Sequence, residues 1–166
     1  VEPPGRLEFS ASCRIRLDGS VVAPGGQIVA SLGNPPGALE QGFDPAVGIF
    51  VGSTGSLDAR GTSILTPNEL GVRQGRVLDG GSITLSALRG RVELAAGSAL
   101  DVSGTATELD LPAGDPVSGG SVIQPTVVAS RGGSIDLVAP EGLRLDGALR
   151  GTGGATNAEG GGLSVG

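Results

Sequence analysis

The sequence contains no histidine, tryptophan, tyrosine, methionine or lysine, and it has a single cysteine. Histidine-based catalytic triads are therefore excluded, and Cys13 has no histidine base to activate it as a nucleophile. A lone cysteine also excludes a disulfide within the chain. All 11 basic residues are arginines in a chain of net charge -6, and they form no basic stripe. This charge balance argues against nucleic acids and anionic membranes as partners.

Long apolar runs are also missing. No stretch approaches the roughly 20 residues that a membrane-spanning helix needs, so we do not expect membrane insertion. Residues 1–4 have neither the basic start nor the apolar stretch of a signal peptide, and residues 160–166 resemble the beginning of a further strand. We expect residues 1–166 to be a single segment of a longer chain.

Glycine is abundant, with 32 residues, but 38% of the chain is hydrophobic and the apolar residues alternate with polar ones in short runs. Alternation with a period of two indicates half-buried strands rather than a low-complexity linker. The stretch GGSITLSALRGRVELAAGSALDVSG, residues 80–104, contains three such runs and no helical pattern. The sequence therefore predicts an all-β protein made of short, closely spaced strands.

The same unit occurs four times. GGSITL at 80–85 recurs as GGSIDL at 132–137, and GGQIVA at 25–30 and LEF at 7–9 are further copies. A second apolar pair follows each copy, and a third short strand follows around Val21, Leu57, Leu100 and Leu149. Longer loop insertions interrupt the units at about 32–46, 62–79 and 105–131. Repeats of this kind bury a continuous core only when they stack, which predicts a right-handed parallel β-helix of about four coils with three short strands each.

The alignment of the repeats predicts which residues become neighbours in the stack. Every position of the inward columns is apolar. The four columns are Leu7, Ile28, Ile83 and Ile135; Phe9, Ala30, Leu85 and Leu137; Ile15, Ile49, Val92 and Leu143; and Leu17, Val51, Leu94 and Leu145. The outward column of the second strand reads Arg16, Phe50, Glu93 and Arg144, in which no like charges are adjacent.

The motifs VVAPGGQIVAS, GSLDARGT, VLDGGSITLSALRGRVELAAGSALDVSG and GGSIDLVAPEGLRLDG resemble the repeats of filamentous-haemagglutinin-type exoproteins. These are the large secreted proteins of Gram-negative two-partner secretion systems. The resemblance covers most of residues 5–166 apart from the insertions. It implies a long β-helical stem, export through an outer-membrane transporter, and a secreted or cell-surface location. It also implies a non-catalytic role in adhesion, biofilm or cell–cell contact, with flanking coils of the same chain and a host or bacterial receptor as partners. An adhesin and the stalk of a contact-delivered toxin both fit this resemblance.

The recurring Leu-Asp pairs place carboxylates at Asp18, Asp58, Asp101 and Asp146. A calcium site needs several oxygen ligands converging on one point, whereas these residues fall at different positions in the coil. Aspartate also accepts hydrogen bonds from the backbone that follows it at a corner, and we favour that role. We predict no metal, cofactor or catalytic residue.

A carbohydrate-active β-helix enzyme is the alternative from another class, because such folds also carry polysaccharide lyases and hydrolases. It would need paired carboxylates, or a basic residue beside them, in a groove. Asp110 with Asp115, or Asp136 with Glu141, could be proposed as such a pair, but their spacing fits no known site and the sequence offers no aromatic platform for a sugar ring.

The repeat alignment also predicts the surroundings of Cys13 and Phe50 and points to the insertions as functional candidates. Cys13 aligns with a turn, so we expect it to be at least partly exposed. Phe50 should point outward, and we expect the 32–46 insertion, with Phe43, to cover it. The insertions are the best functional candidates, since function in repeat proteins concentrates on loops at one face.

Overall fold

The computed structural model describes residues 4–34, 42–113 and 122–166, and within these ranges the chain is all-β. No helix of the described residues is long and apolar enough to cross a membrane. The strands, in chain order, are β1 (Arg6–Ala11), β2 (Arg14–Leu17), β3 (Ser20–Val22), β4 (Gln27–Leu32), β5 (Gly48–Val51), β6 (Ser56–Asp58), β7 (Thr62–Leu65), β8 (Gly75–Leu78), β9 (Ser82–Ala87), β10 (Arg91–Leu94), β11 (Ala99–Asp101), β12 (Ala106–Ala113), β13 (Val122–Ala129), β14 (Ser134–Val138), β15 (Leu143–Leu145), β16 (Ala148–Arg150) and β17 (Gly162–Val165).

Most of these strands form three parallel sheets. The first sheet has the order β1-β4-β9-β14-β17, the second β15-β10-β5-β2 and the third β16-β11-β6-β3. The chain adds one strand to the first, the second and the third sheet in turn, and repeats this order four times. The runs of three strands are β1–β3, β4–β6, β9–β11 and β14–β16. We call such a run a triplet. Each triplet pairs with the next one, and β17 begins a further visit to the first sheet.

The predicted register is confirmed in all four inward columns. In the first sheet Ile28 pairs with Leu7 on one side and with Ile83 on the other, and Ile135 follows. In the second sheet Ile49 and Val92 are neighbours, flanked by Ile15 and Leu143. Strands form here because period-two alternation puts the apolar side chains on one face, where consecutive triplets share them as one core.

Burial within these columns depends on the position of the triplet. Ile28, Ile83 and Leu85 in the central triplets are fully buried. Leu7, in the first triplet, is 39% exposed, and Leu145, in the fourth, is 38% exposed. Both belong to the predicted inward columns but lie where the described residues place no further triplet over them. The core is therefore closed in the middle and open at both ends.

Glycine is required at the corner that leads into the first sheet. A Cβ on Gly81 would collide with the backbone carbonyl oxygen of Gly26, and a Cβ on Gly133 would collide with that of Gly81. The backbones approach this closely because the amide of Ser82 donates to Gly26 O at 2.9 Å. The repeated GG of the sequence is thus a steric requirement of stacking one triplet on the next.

The second and third predicted insertions contain regular structure of their own. β7 pairs antiparallel with β8, and β12 pairs antiparallel with β13 over eight residues of each strand. These two hairpins lie within the 62–79 and 105–131 insertions. Of the first predicted insertion, 32–46, residues 35–41 lie outside the described ranges.

Candidate functional site: the hairpin pair

Both hairpins leave the triplets at the same corner. The β7–β8 hairpin connects β6 of the third sheet to β9 of the first, and the β12–β13 hairpin connects β11 of the third sheet to β14 of the first. Strands β6 and β11 are neighbours, as are β9 and β14. The two hairpins therefore emerge one above the other, on one side of the molecule.

Arg73, between β7 and β8, joins the two hairpins. Its guanidinium contacts Oδ1 of Asp110 at 2.9 Å through Nη2 and Oε1 of Glu108 at 2.5 Å through Nη1. Its backbone N–H donates to Asp110 Oδ2 at 2.7 Å, while the Asp110 N–H donates to the Arg73 carbonyl at 2.9 Å. The hydrogen bonds from Arg73 lower the pKa of Asp110, and those to Asp110 and Glu108 raise the pKa of Arg73. Side chain and backbone together fix one hairpin against the other.

The base of the longer hairpin is held by a buried serine. Ser130 is 4% exposed, and its Oγ accepts a hydrogen bond from the Thr105 amide at 2.9 Å. Leu109 of β12 is also buried. The hairpin is therefore anchored at its root and along one strand.

Large apolar side chains are exposed on both hairpins. Leu70 is 87% exposed and Val122 is 67% exposed, and the other members of the set are Leu65, Leu111, Ile123 and Val127. Concentrated exposure of apolar residues on one projection is typical of a contact surface. This hairpin pair, residues 62–78 and 106–129 without the undescribed 114–121, is the candidate functional site.

The aspartates of the repeat have the predicted corner role at two positions. Asp58 Oδ1 accepts a hydrogen bond from the backbone N–H of Arg60 at 3.0 Å, and Asp101 Oδ1 accepts one from Ser103 at 2.9 Å. The side-chain hydrogen bond from Arg60 lowers the pKa of Asp58.

At the other two positions the aspartate pairs with the arginine two residues before it. Arg16 donates to Asp18 at 2.6 Å and Arg144 to Asp146 at 2.7 Å. Among the described residues, no three acidic or cysteine side chains are grouped in a way that could hold a metal ion.

The carboxylates considered for an enzyme have other partners where the structure describes them. Asp110 is bound to Arg73, and Glu141 forms an ion pair with Arg89. Asp136 accepts a hydrogen bond from the Ser134 hydroxyl at 3.4 Å. Asp115 lies outside the described residues.

Cys13 is exposed, as predicted from its position in a turn. Phe50 is paired with Arg16 and Glu93, as predicted, but the side chains lying over its ring are those of Arg14 and Arg91. Phe43, expected to help cover it, is 60% exposed. The position of these two arginines beside Phe50 could have been predicted from the alignment of the repeats, because both are register partners of Gly48, which has no side chain to displace them.

No family model, curated protein or solved structure matches this chain.

Proposed function

We propose that the chain is a non-catalytic segment of the stem of a large secreted surface protein of the filamentous-haemagglutinin type. In this proposal the triplets are the coils of a right-handed parallel β-helix, and the stem extends a fibre from the bacterial surface. The outer-membrane transporter of a two-partner system would export it, and a host or bacterial receptor would be its final partner.

The observation that carries the proposal is the unbroken cycle of strands in register. Each triplet repeats the path of the previous one, and its inward residues continue the same apolar columns. At the last described strand, β17, Leu163 and Val165 prolong these columns and remain more than half exposed.

The hairpin pair supplies the second part of the proposal. A regular stack of short strands offers the same surface at every turn, so specific contacts must come from what projects out of it. The two hairpins project from one corner, are fixed to each other by Arg73, and expose apolar side chains. We assign them the display of a contact surface for adhesion or cell–cell contact.

Antibodies raised against the purified chain test the location and the role together. They should label intact, unpermeabilised cells of the source organism, and protease added to intact cells should remove the label. Antibodies that bind the two hairpins should reduce attachment or aggregation of the cells. Antibodies against an unrelated surface protein should not. Label that appears only after permeabilisation would contradict the proposal.

A further inference from the structure

The longer hairpin has one edge that no other described strand covers. β13 pairs with β12 on one side, and no described strand pairs with it on the other. We call this side the free edge of β13. Ile123 on this strand is 53% exposed and Val127 is 64% exposed. A free edge presents unpaired N–H and C=O groups to a strand of any other chain, and native proteins protect such edges.

The composition of β13 makes its free edge prone to pairing with another strand. The strand reads VIQPTVVA, in which half of the residues are valine or isoleucine and none is charged. Uncharged segments rich in β-branched residues add readily to other strands when no proline interrupts them. Charged side chains, which protect many strand edges, are absent from this strand. The residue that interrupts the segment is Pro125.

Two hydrogen bonds show which backbone groups of the hairpin face outward. At its root the Ser130 amide donates to the Thr105 carbonyl oxygen at 2.8 Å, so this pair is a hydrogen-bonded pair of the ladder. Hydrogen-bonded and non-hydrogen-bonded pairs alternate, and the pair of Asp110 with Pro125 is therefore a non-hydrogen-bonded one. The Asp110 amide agrees with this assignment, since it donates away from β13 to the Arg73 carbonyl oxygen at 2.9 Å. The backbone nitrogen of Pro125 thus faces the free edge.

Proline at this position removes a donor that an added strand would need. The backbone groups of Ile123 and Val127, on either side of Pro125, face outward in the same way because the pairs alternate. Between their amides stands a residue that has no N–H, and its ring occupies the space of the missing hydrogen. An incoming strand would lose the hydrogen bond at the centre of the edge. On β12, by contrast, the outward backbone of Asp110 is already bound to Arg73.

We propose that Pro125 keeps the free edge of β13 from pairing with a strand of another chain, including β13 of a second copy. Two β13 strands that met antiparallel would form a closed dimer with two-fold symmetry, because each copy contributes the same edge. Where the hairpin pair contacts a partner, its side chains and not this edge then hold the partner. That consequence rests on the proposed function, whereas the role of Pro125 does not.

Replacing Pro125 with threonine tests the proposal, because threonine restores the N–H without adding a large apolar side chain. As its concentration is raised, Pro125→Thr should shift in sedimentation velocity to twice the mass of the natural chain. The natural chain should show no such shift over the same range. The matched control is Pro67→Thr, which replaces an exposed proline in the loop between β7 and β8 and should also show no shift.

Amide hydrogen exchange, followed residue by residue by NMR, locates the new contact. In the natural chain the outward amides of Ile123 and Val127 should exchange freely, while those of Gln124 and Thr126, which face β12, should be protected. In Pro125→Thr the amides of Ile123 and Val127 should become protected as the dimer forms.

The proposal is overturned if Pro125→Thr keeps the circular dichroism spectrum of the natural chain and sediments like it at every concentration. Pro125→Ala restores the same N–H and gives the same test if the threonine variant loses that spectrum. Protection of Ile123 and Val127 in the natural chain would also overturn the proposal, because the edge would then already be paired. Association of the variant without new protection at these two amides would overturn it as well, since the contact would then lie elsewhere.

Discussion

Replacing Gly81 with alanine should destabilise the protein far more than replacing Gly19 with alanine. A Cβ on Gly81 would collide with the backbone of Gly26, and that backbone is held by the hydrogen bond from the Ser82 amide at 2.9 Å. A Cβ on Gly19 would meet no atom within 4 Å. Neither glycine has a positive φ, so the two substitutions differ in the space available and not in backbone strain.

The magnitude follows from two contributions. Forcing extra atoms into a packed region costs about 1–3 kcal/mol, and weakening the backbone hydrogen bond adds about 1 kcal/mol. Gly81→Ala should therefore lower the free energy of unfolding by about 2–4 kcal/mol, whereas Gly19→Ala should change it by no more than about 1 kcal/mol. For a domain of this size a loss of 2–4 kcal/mol lowers Tm by roughly 4–16 °C.

Far-UV circular dichroism during urea and thermal unfolding of the three proteins gives the comparison. Equal unfolding midpoints for Gly81→Ala and Gly19→Ala would refute the close approach of successive triplets at this corner. A large loss of stability in Gly19→Ala would also refute the reasoning, because a Cβ at that position meets no atom within 4 Å.

Three further predictions follow from other parts of the structure. Leu85→Ala should lower the free energy of unfolding by about 2–5 kcal/mol because the side chain is fully buried, whereas replacing the outward-facing Thr84 with alanine should change it by no more than about 0.5 kcal/mol. Equal losses of stability in denaturant unfolding would contradict the assignment of Leu85 to the inward face and Thr84 to the outward face. The lowered pKa of Asp110 means that its link to Arg73 is complete above the ordinary aspartate pKa and is lost as the pH falls through the lowered value. The protection of the hairpin amides from hydrogen exchange, taken relative to the intrinsic exchange rate at each pH, should therefore fall on acidification and in Asp110→Asn at neutral pH, and protection that stays the same under both changes would count against the link. Thr84→Cys combined with Asp136→Cys, in a chain whose native Cys13 has been replaced, should form a disulfide on mild oxidation because the two residues are register partners. Non-reducing electrophoresis and peptide mapping detect the disulfide, and thiols that stay free would contradict the register.

The parallel pairing could be predicted from the sequence because the repeat carries its own register. Once GGSITL is aligned with GGSIDL, Ile83 must face Ile135 and Leu85 must face Leu137, as the structure has them. Period-two alternation leaves little choice, since a slip by one residue would turn every apolar side chain outward. The exposure of Leu7 follows from its place in the first triplet, because burial also depends on what covers each end of the columns.

The candidate site was only partly predictable. The insertions could be located as interruptions of the repeat, but their antiparallel pairing depends on contacts within each insertion that the repeat does not constrain. The link from Arg73 to Asp110 joins residues of two different insertions, so no spacing in the sequence indicates it. By contrast, Arg14 and Arg91 could have been found beside Phe50, since the alignment already placed both opposite Gly48.

Electron microscopy of the full-length natural protein tests the central claim most directly. If the triplets are coils of a stem, the particles should be rods that lengthen by about 4.8 Å for each coil in the sequence, and an antibody against this chain should bind along the rod. Compact globular particles, or antibody bound to a globular domain away from any rod, would contradict the account.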